Sequence, residues 1–349
     1  MKKVIFALFI SLLWSPKPSQ AVNVFTDFFV GINYGPFHND GQTPNIPVNE
    51  EQIKADLQII NKAGFKYIRT YGLNSGIDKI VTVAHQYFPH LKICIGVYES
   101  STDHDNTVNP SSTKSQLIQA VSLANTYNNV ACIVVGNECF QGDPQAGDHW
   151  VLAQTVLADL AYVRNNLNTA RQEQVVLSTA LTYAAAHGDT SDAGGKILDQ
   201  LKANYSNIDV WMINIYPFFK PGGIESSEAA INENLDWNYQ EFNNIYASTG
   251  RPIIISETGW PSAGSSYGLS IPNLENQRAF TRISYQWLIT KQWSGFLFEM
   301  FDEPWKTAEG DTGPHWGLYD KDGQTKSSWQ PANTTITPFM HLLLNNNAE

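Results

Sequence analysis

Ala131-Cys132-Ile133-Val134-Val135-Gly136, followed at once by Asn137-Glu138, is the stretch on which the fold turns. It is an apolar run rich in β-branched residues, closed by a glycine, and it reads as a strand covered on both faces, the kind found in parallel sheets. Pro252-Ile253-Ile254-Ile255-Ser256, followed by Glu257, repeats the pattern. Six more runs of this kind, Phe28–Tyr34, Tyr67–Tyr71, Leu91–Tyr98, Gln174–Ala180, Ile208–Tyr216 and Gly295–Phe301, bring the total to eight. Segments of helical periodicity lie between them, among them Glu50–Ala63, Ser115–Tyr127, Asp148–Leu167, Ser226–Tyr246 and Asn276–Thr290. Strict alternation of strand and helix favours an α/β fold closed into a (β/α)8 barrel over its rival, the open doubly wound sheet. No low-complexity linker or charge run interrupts the chain, so residues 22–349 are expected to form a single barrel domain.

Lys2 and Lys3 precede the apolar run Val4–Trp14, and Ser19-Gln20-Ala21 ends in small residues, the pattern of a removable signal peptide over 1–21. That run is too short to span a membrane, and no later stretch approaches the roughly 20 apolar residues a span needs. The expected mature protein is soluble, monomeric, and secreted or periplasmic. The formal charge of −11 becomes more negative without Lys2, Lys3 and Lys17, which argues against a nucleic-acid partner. Charged residues make up only 16% of the chain, whereas ten Trp and fifteen Tyr are present. That balance suits neutral ligands that stack on aromatic rings. Cys94, Cys132 and Cys139 allow at most one bridge and read chiefly as buried small side chains.

An ionised carboxylate loses its hydration at the end of a buried strand unless something compensates. Two of the eight strands end that way, at Glu138 and Glu257. In a barrel both can project over the C-terminal rim, where the polar loops His38–Asn49, Ser100–Ser112, Gln141–Gly147, Pro261–Asn273 and Asp302–Trp316 build a candidate site. One such Glu is equally explained by an ion pair between strands. Two facing each other beside aromatics match the pair of carboxylates that glycoside hydrolysis requires.

The chain resembles glycoside hydrolase family 17, the β-1,3-glucanases and related transglycosylases. The resemblance rests on Gly31-Ile32-Asn33-Tyr34-Gly35-Pro36, Ile68-Arg69-Thr70-Tyr71-Gly72, Val135-Gly136-Asn137-Glu138, Asn214-Ile215-Tyr216-Pro217-Phe218, Ser256-Glu257-Thr258-Gly259-Trp260-Pro261-Ser262 and Phe298-Glu299-Met300-Phe301-Asp302-Glu303-Pro304-Trp305-Lys306. The match extends from about Phe28 to Tyr319, and the Asp-Glu-Pro-Trp-Lys block looks more like fungal and bacterial members than plant ones. The resemblance implies a retaining mechanism on β-1,3-glucan, with Glu257 as nucleophile and Glu138 as acid/base, their carboxyl groups roughly 5–5.5 Å apart. It implies that Asn137 bonds the sugar hydroxyl beside the anomeric carbon, and that Glu303 and Lys306 are an accessory acidic and basic pair.

Arg69 lies on the same face of its strand as Tyr71, so it is the expected cation partner of Glu257. Tyr34, Tyr71, Tyr216, Trp260, Phe301, Trp305 and Trp316 follow strands closely enough to offer rings to a sugar, with Tyr34, Tyr216 and Trp260 the first choices. Transglycosylation is the near alternative to hydrolysis, and glucan binding without turnover is the alternative of another class. Gly264-Ser265-Ser266-Tyr267-Gly268 mimics a serine nucleophile elbow, but it comes after the strand has ended. Asp103-His104-Asp105 lacks a further ligand nearby in sequence and reads as a solvated loop. No metal or cofactor is expected.

Overall fold

Eight parallel strands close into a barrel with neighbour order equal to chain order. They are β1 (Val30–Asn33), β2 (Tyr67–Arg69), β3 (Lys92–Val97), β4 (Val130–Asn137), β5 (Val176–Leu181), β6 (Trp211–Asn214), β7 (Ile253–Thr258) and β8 (Gly295–Leu297). Each corresponds to one of the eight sequence runs; β8 is shortened to three residues and stops four residues before Phe301. The computed structural model describes residues 28–140 and 150–326. The signal-peptide reading, the Gln141–Gly147 loop and the first two residues of the Asp148–Leu167 helix lie outside the described residues.

Alternation along the strands divides the core in two. Cys94, Cys132, Val134, Val176, Met212, Ile254 and Phe296 fill the barrel interior. Their chain neighbours, such as Ile93, Ile133, Val135, Ile253 and Ile255, face the helices. Cys94 and Cys132 are direct partners across β3 and β4, with Cα atoms 4.4 Å apart, and form a disulfide inside the barrel. Cys139 remains a buried free thiol.

The helices start where short polar side chains bind their free N–H groups. Asn49 caps α1 (Glu50–Lys62), and Ser112 caps the helix Thr113–Thr126. Ser227 and Asn273 do the same for Glu228–Tyr246 and Leu274–Lys291. The helix between β4 and β5, Ala153–Asn166, is preceded by Leu152, which cannot cap it; Asp192 Oδ2 accepts from the Ala153 N–H at 2.9 Å instead, and the buried face includes Val156, Leu160 and Val163. No helix among the described residues is long and apolar enough to cross a membrane.

Beneath the rim, the loop after β1 is tied down by a buried ionic contact. The Tyr34 hydroxyl donates to Asp56 Oδ2 on α1 at 2.6 Å, and His38 Nε2 lies 3.0 Å from the same oxygen. His38 Nδ1 is 2.6 Å from the Lys321 carbonyl, so both ring nitrogens face acceptors and the imidazolium is the form that satisfies both. Burial opposes that charge, but the hydrogen bond and field of Asp56 outweigh it and raise the His38 pKa above 6.5. A raised folded-state pKa stabilises below the unfolded value and loses that stabilisation as pH rises through the folded one. Thermal melts of His38→Gln against wild type should therefore differ most near about pH 6, by the equivalent of about 1.5–3 kcal/mol for a charged hydrogen bond. The gap should narrow towards about pH 9, and a pH-independent gap would refute the imidazolium.

Candidate active site

The C-terminal ends of β4 and β7 both depart from regular pairing. Along β4 the register to β5 slips between Val134 and Asn137, and Gly136 takes φ +77°. Along β7 the register slips between Ile255 and Glu257 against β6, and again against β8. Strict alternation would send Asn137 and Glu257 outward with Val135 and Ile255. The extra residue in each strand re-aims them into the mouth of the barrel, which is what a bulge does. Glu138 itself holds φ +53°, unusual for a side-chain-bearing residue, with its N–H bonded to the Ala180 carbonyl.

Arg69 occupies the centre of that mouth and is 1% exposed. Its Nη1 donates to Glu257 Oε1 at 2.7 Å and its Nη2 to Asn137 Oδ1 at 2.7 Å. Nη1 also reaches Asn33 Oδ1 at 3.2 Å and the Ser256 carbonyl at 3.3 Å. The Tyr216 hydroxyl donates to the other Glu257 oxygen at 2.6 Å, so both carboxylate oxygens are held. Asn214 Nδ2 donates to Glu138 Oε1 at 2.7 Å and lies 3.4 Å from Asn137 Oδ1, while its own Oδ1 accepts from Ser256 at 2.6 Å. An unbroken path of hydrogen bonds thus joins Glu138 to Glu257 through Asn214, Asn137 and Arg69. Burial and the nearby Glu257 charge push the Tyr71 and Tyr216 phenols well above their ordinary range, so both remain protonated donors.

This mouth opens into a cavity of about 750 Å3 lined by both glutamates, with Tyr34, Tyr71, Tyr216 and Asn137. On its far side Lys306 is clamped between Glu299, at 2.6 and 2.8 Å, and Glu303, at 2.6 Å. Burial works against the Lys306 ammonium, yet Glu299 and Glu303 raise its pKa strongly. Burial likewise pushes the Glu299 carboxyl well above its usual range, against the pull of Lys306. Gly35 lets Glu303 into this position, because a Cβ there would fall 2.3 Å from its Oε1.

Of the residues expected from sequence, Tyr34, Arg69, Tyr71, Asn137, Glu138, Tyr216, Glu257, Glu303 and Lys306 all converge here, Arg69 beneath the cavity as the partner of Glu257. Trp260 does not. It is 1% exposed, packs edge-on against Phe218 and donates Nε1 to the Ile271 carbonyl, so it is a core residue and not a sugar platform. Phe301 is also core, stacked on His38, whereas Trp305 and Trp316 do line the cavity. Asn33, Asn214 and Glu299 received no individual role from sequence. Asn33 and Asn214 carried the same signal as the glutamates, a polar residue ending an apolar strand. The Ser265–Ser266 segment is exposed loop, not a nucleophile elbow.

Residues 31–317 match the model of the BtgE/BtgC glycoside hydrolase domain. The chain belongs to that family. It is 24% identical to the "Probable family 17 glucosidase SCW10" of Saccharomyces cerevisiae over 84% of this chain and 65% of the relative. It is 27% identical to the "Putative glucan endo-1,3-beta-glucosidase btgC" of Aspergillus niger over 84% of this chain and 42% of that protein. The chain therefore spans only about two-fifths to two-thirds of the length of these curated relatives. An endo-laminarinase from Formosa Hel1_33_131 shares the fold, with a TM-score of 0.70 at 20% identity, covering 85% of this chain and 84% of that one.

Because Arg69 is buried among acceptors, removing its charge strands Glu257. Arg69→Met should lower stability by about 3–5 kcal/mol, read as a fall in Tm, and Glu257→Gln should cost clearly less since Gln still accepts from Arg69. Equal losses in the two variants would contradict this assignment of the charge pair.

Proposed function

We propose that this protein is a secreted or periplasmic retaining glycoside hydrolase acting on β-1,3-glucan, with Glu257 as nucleophile and Glu138 as acid/base. The observation that carries the reading is that the two carboxyl groups, from strands three apart, line one cavity and are oriented by a shared hydrogen-bond path. The names of the fungal relatives and of the endo-laminarinase support β-1,3-glucan as the substrate class.

In this mechanism Glu257, with one oxygen held by Arg69 and the other by Tyr216, attacks the anomeric carbon while Glu138 protonates the departing oxygen. A covalent glycosyl-enzyme forms; Glu138, now a carboxylate, then removes a proton from water, which attacks and releases the sugar with its configuration retained. Asn137 accepts from Arg69 and Asn214 through its oxygen, which leaves its amide nitrogen to donate to the hydroxyl beside the reacting carbon. Tyr71 and Tyr216 present ring surface, whereas Tyr34, 1% exposed and bonded to Asp56, braces the cavity wall; Glu303 and Lys306 offer an acceptor and a cation to more distant hydroxyls.

Glu257→Ala should reduce turnover of laminari-oligosaccharides by about 10^4-fold or more, and azide should restore it with an α-glycosyl azide as product. Glu138→Ala should lose about 10^2–10^4-fold and, with an activated substrate, yield the β-glycosyl azide. Exchange of the two anomers between the variants would reverse the assigned roles.

Transglycosylation is the second reading, favoured by half-buried Trp305, which lines the cavity and offers an apolar face to an acceptor sugar; Trp316 lines the cavity too but is 4% exposed. A time course on a laminari-oligosaccharide of defined length should show only shorter products if water is the acceptor. Early accumulation of longer chains would establish transfer as the main reaction.

A further inference from the structure

Behind Glu138, in the same cavity wall, sits a second group of ionisable side chains that the proposed chemistry does not use. Glu99 follows β3, lines the cavity and is 1% exposed. Both of its carboxylate oxygens are buried with no hydrogen-bond donor among the described residues. Gly136, two residues before Glu138, packs so closely on it that an added Cβ would lie 3.1 Å from Glu99 Cγ. Facing Glu99 are His104, from the loop after β3, and Asp159, from the helix Ala153–Asn166. One ligand atom from each of the three lies within 4.8 Å of the others.

Two buried carboxylates in contact cannot both keep their charge without a counter-cation. His104 supplies one partner, its Nε2 2.7 Å from Asp159 Oδ2, while Glu99 faces the Asp159 carboxyl and, among the described residues, no cation of its own. Lys114 lies near Asp159 but rests its ammonium over the Tyr162 ring, 3.9 Å from the centroid. The neighbouring Cys139 thiol is pushed up by burial and then by Glu99, so it brings no positive charge. His104 is partly open to solvent, its side chain 24% exposed, which gives a small ion a way in.

We propose that Glu99, His104 and Asp159 form a divalent-cation site of the zinc type, which ties the loop after β3 and the helix Ala153–Asn166 to the wall behind Glu138. One imidazole and two carboxylates are a ligand set that zinc accepts, with water completing the coordination, whereas calcium and magnesium favour more oxygen ligands. The site is independent of the retaining mechanism, and binding can be read without activity.

The test uses the untagged full chain, dialysed against chelator and titrated with zinc chloride by calorimetry and thermal melting, with magnesium as control. One zinc per chain and a zinc-dependent rise in Tm are expected. Glu99→Gln and His104→Asn should each weaken binding by at least about 100-fold, since even residues that only support a ligand cost 10–100-fold. Asp189→Asn should leave binding unchanged, because that side chain is 61% exposed and pairs with His187, not with any of the three ligands. Zinc binding that survives in both Glu99→Gln and His104→Asn would place the ion elsewhere, for example on the surface group His187, Asp189 and Glu241, and overturn the proposal. Absence of saturable binding to wild type would overturn it too. In that case a Glu99→Gln variant as stable as wild type would assign the pair to a shared proton.

Discussion

A guanidinium held almost entirely out of water is the constraint around which the mouth of this barrel is arranged. Arg69 is expensive to bury, and the surrounding strand ends offset that cost with acceptors. Asn33 on β1, Asn137 on β4, and both the Ser256 carbonyl and the Glu257 carboxylate on β7 all point at it. The Tyr71 hydroxyl adds a further acceptor at 3.3 Å. None of these groups is well placed without the others, so the orientation of the proposed nucleophile follows from the need to neutralise one cation.

Around that centre the cavity wall repeats the same problem with less positive charge available. Lys306 serves two carboxylates, Glu299 and Glu303, and His104 faces a further pair, Glu99 and Asp159. The wall is therefore rich in buried acceptors, among them Glu303 Oε1, which has no donor among the described residues. Under the proposed function, a neutral polyhydroxyl substrate supplies donors to such atoms, and the aromatic rings cover its apolar faces. An anionic ligand would meet repulsion instead.

The strands were legible because burial on both faces demands continuous apolar runs, and the helices because their caps and periodicity are local properties. Glu138 and Glu257 stood out since a carboxylate is costly where they lie. Trp260 was misread for a related reason: a ring that follows a strand by a few residues can turn either into the cavity or back into the shell of helices, and here Phe218 and Phe280 receive it. His104 looked solvated because Asp159 is 55 residues away, and only the folding of the loop after β3 onto the helix Ala153–Asn166 brings the two together.

The sequence by itself determined the eight strands, their alternation with helices, and the pair of acidic strand ends, because each depends on composition and spacing within a short window; closure into a barrel and not an open sheet required the pairing of the first strand with the last. Tertiary structure alone decided where the side chains of those ends point. Regular alternation assigns Glu257 and Asn137 to the outer face, and the extra residue in β7 and in β4 reverses that. A bulge is a mismatch between two neighbouring strands, so it exists only once both strands are paired.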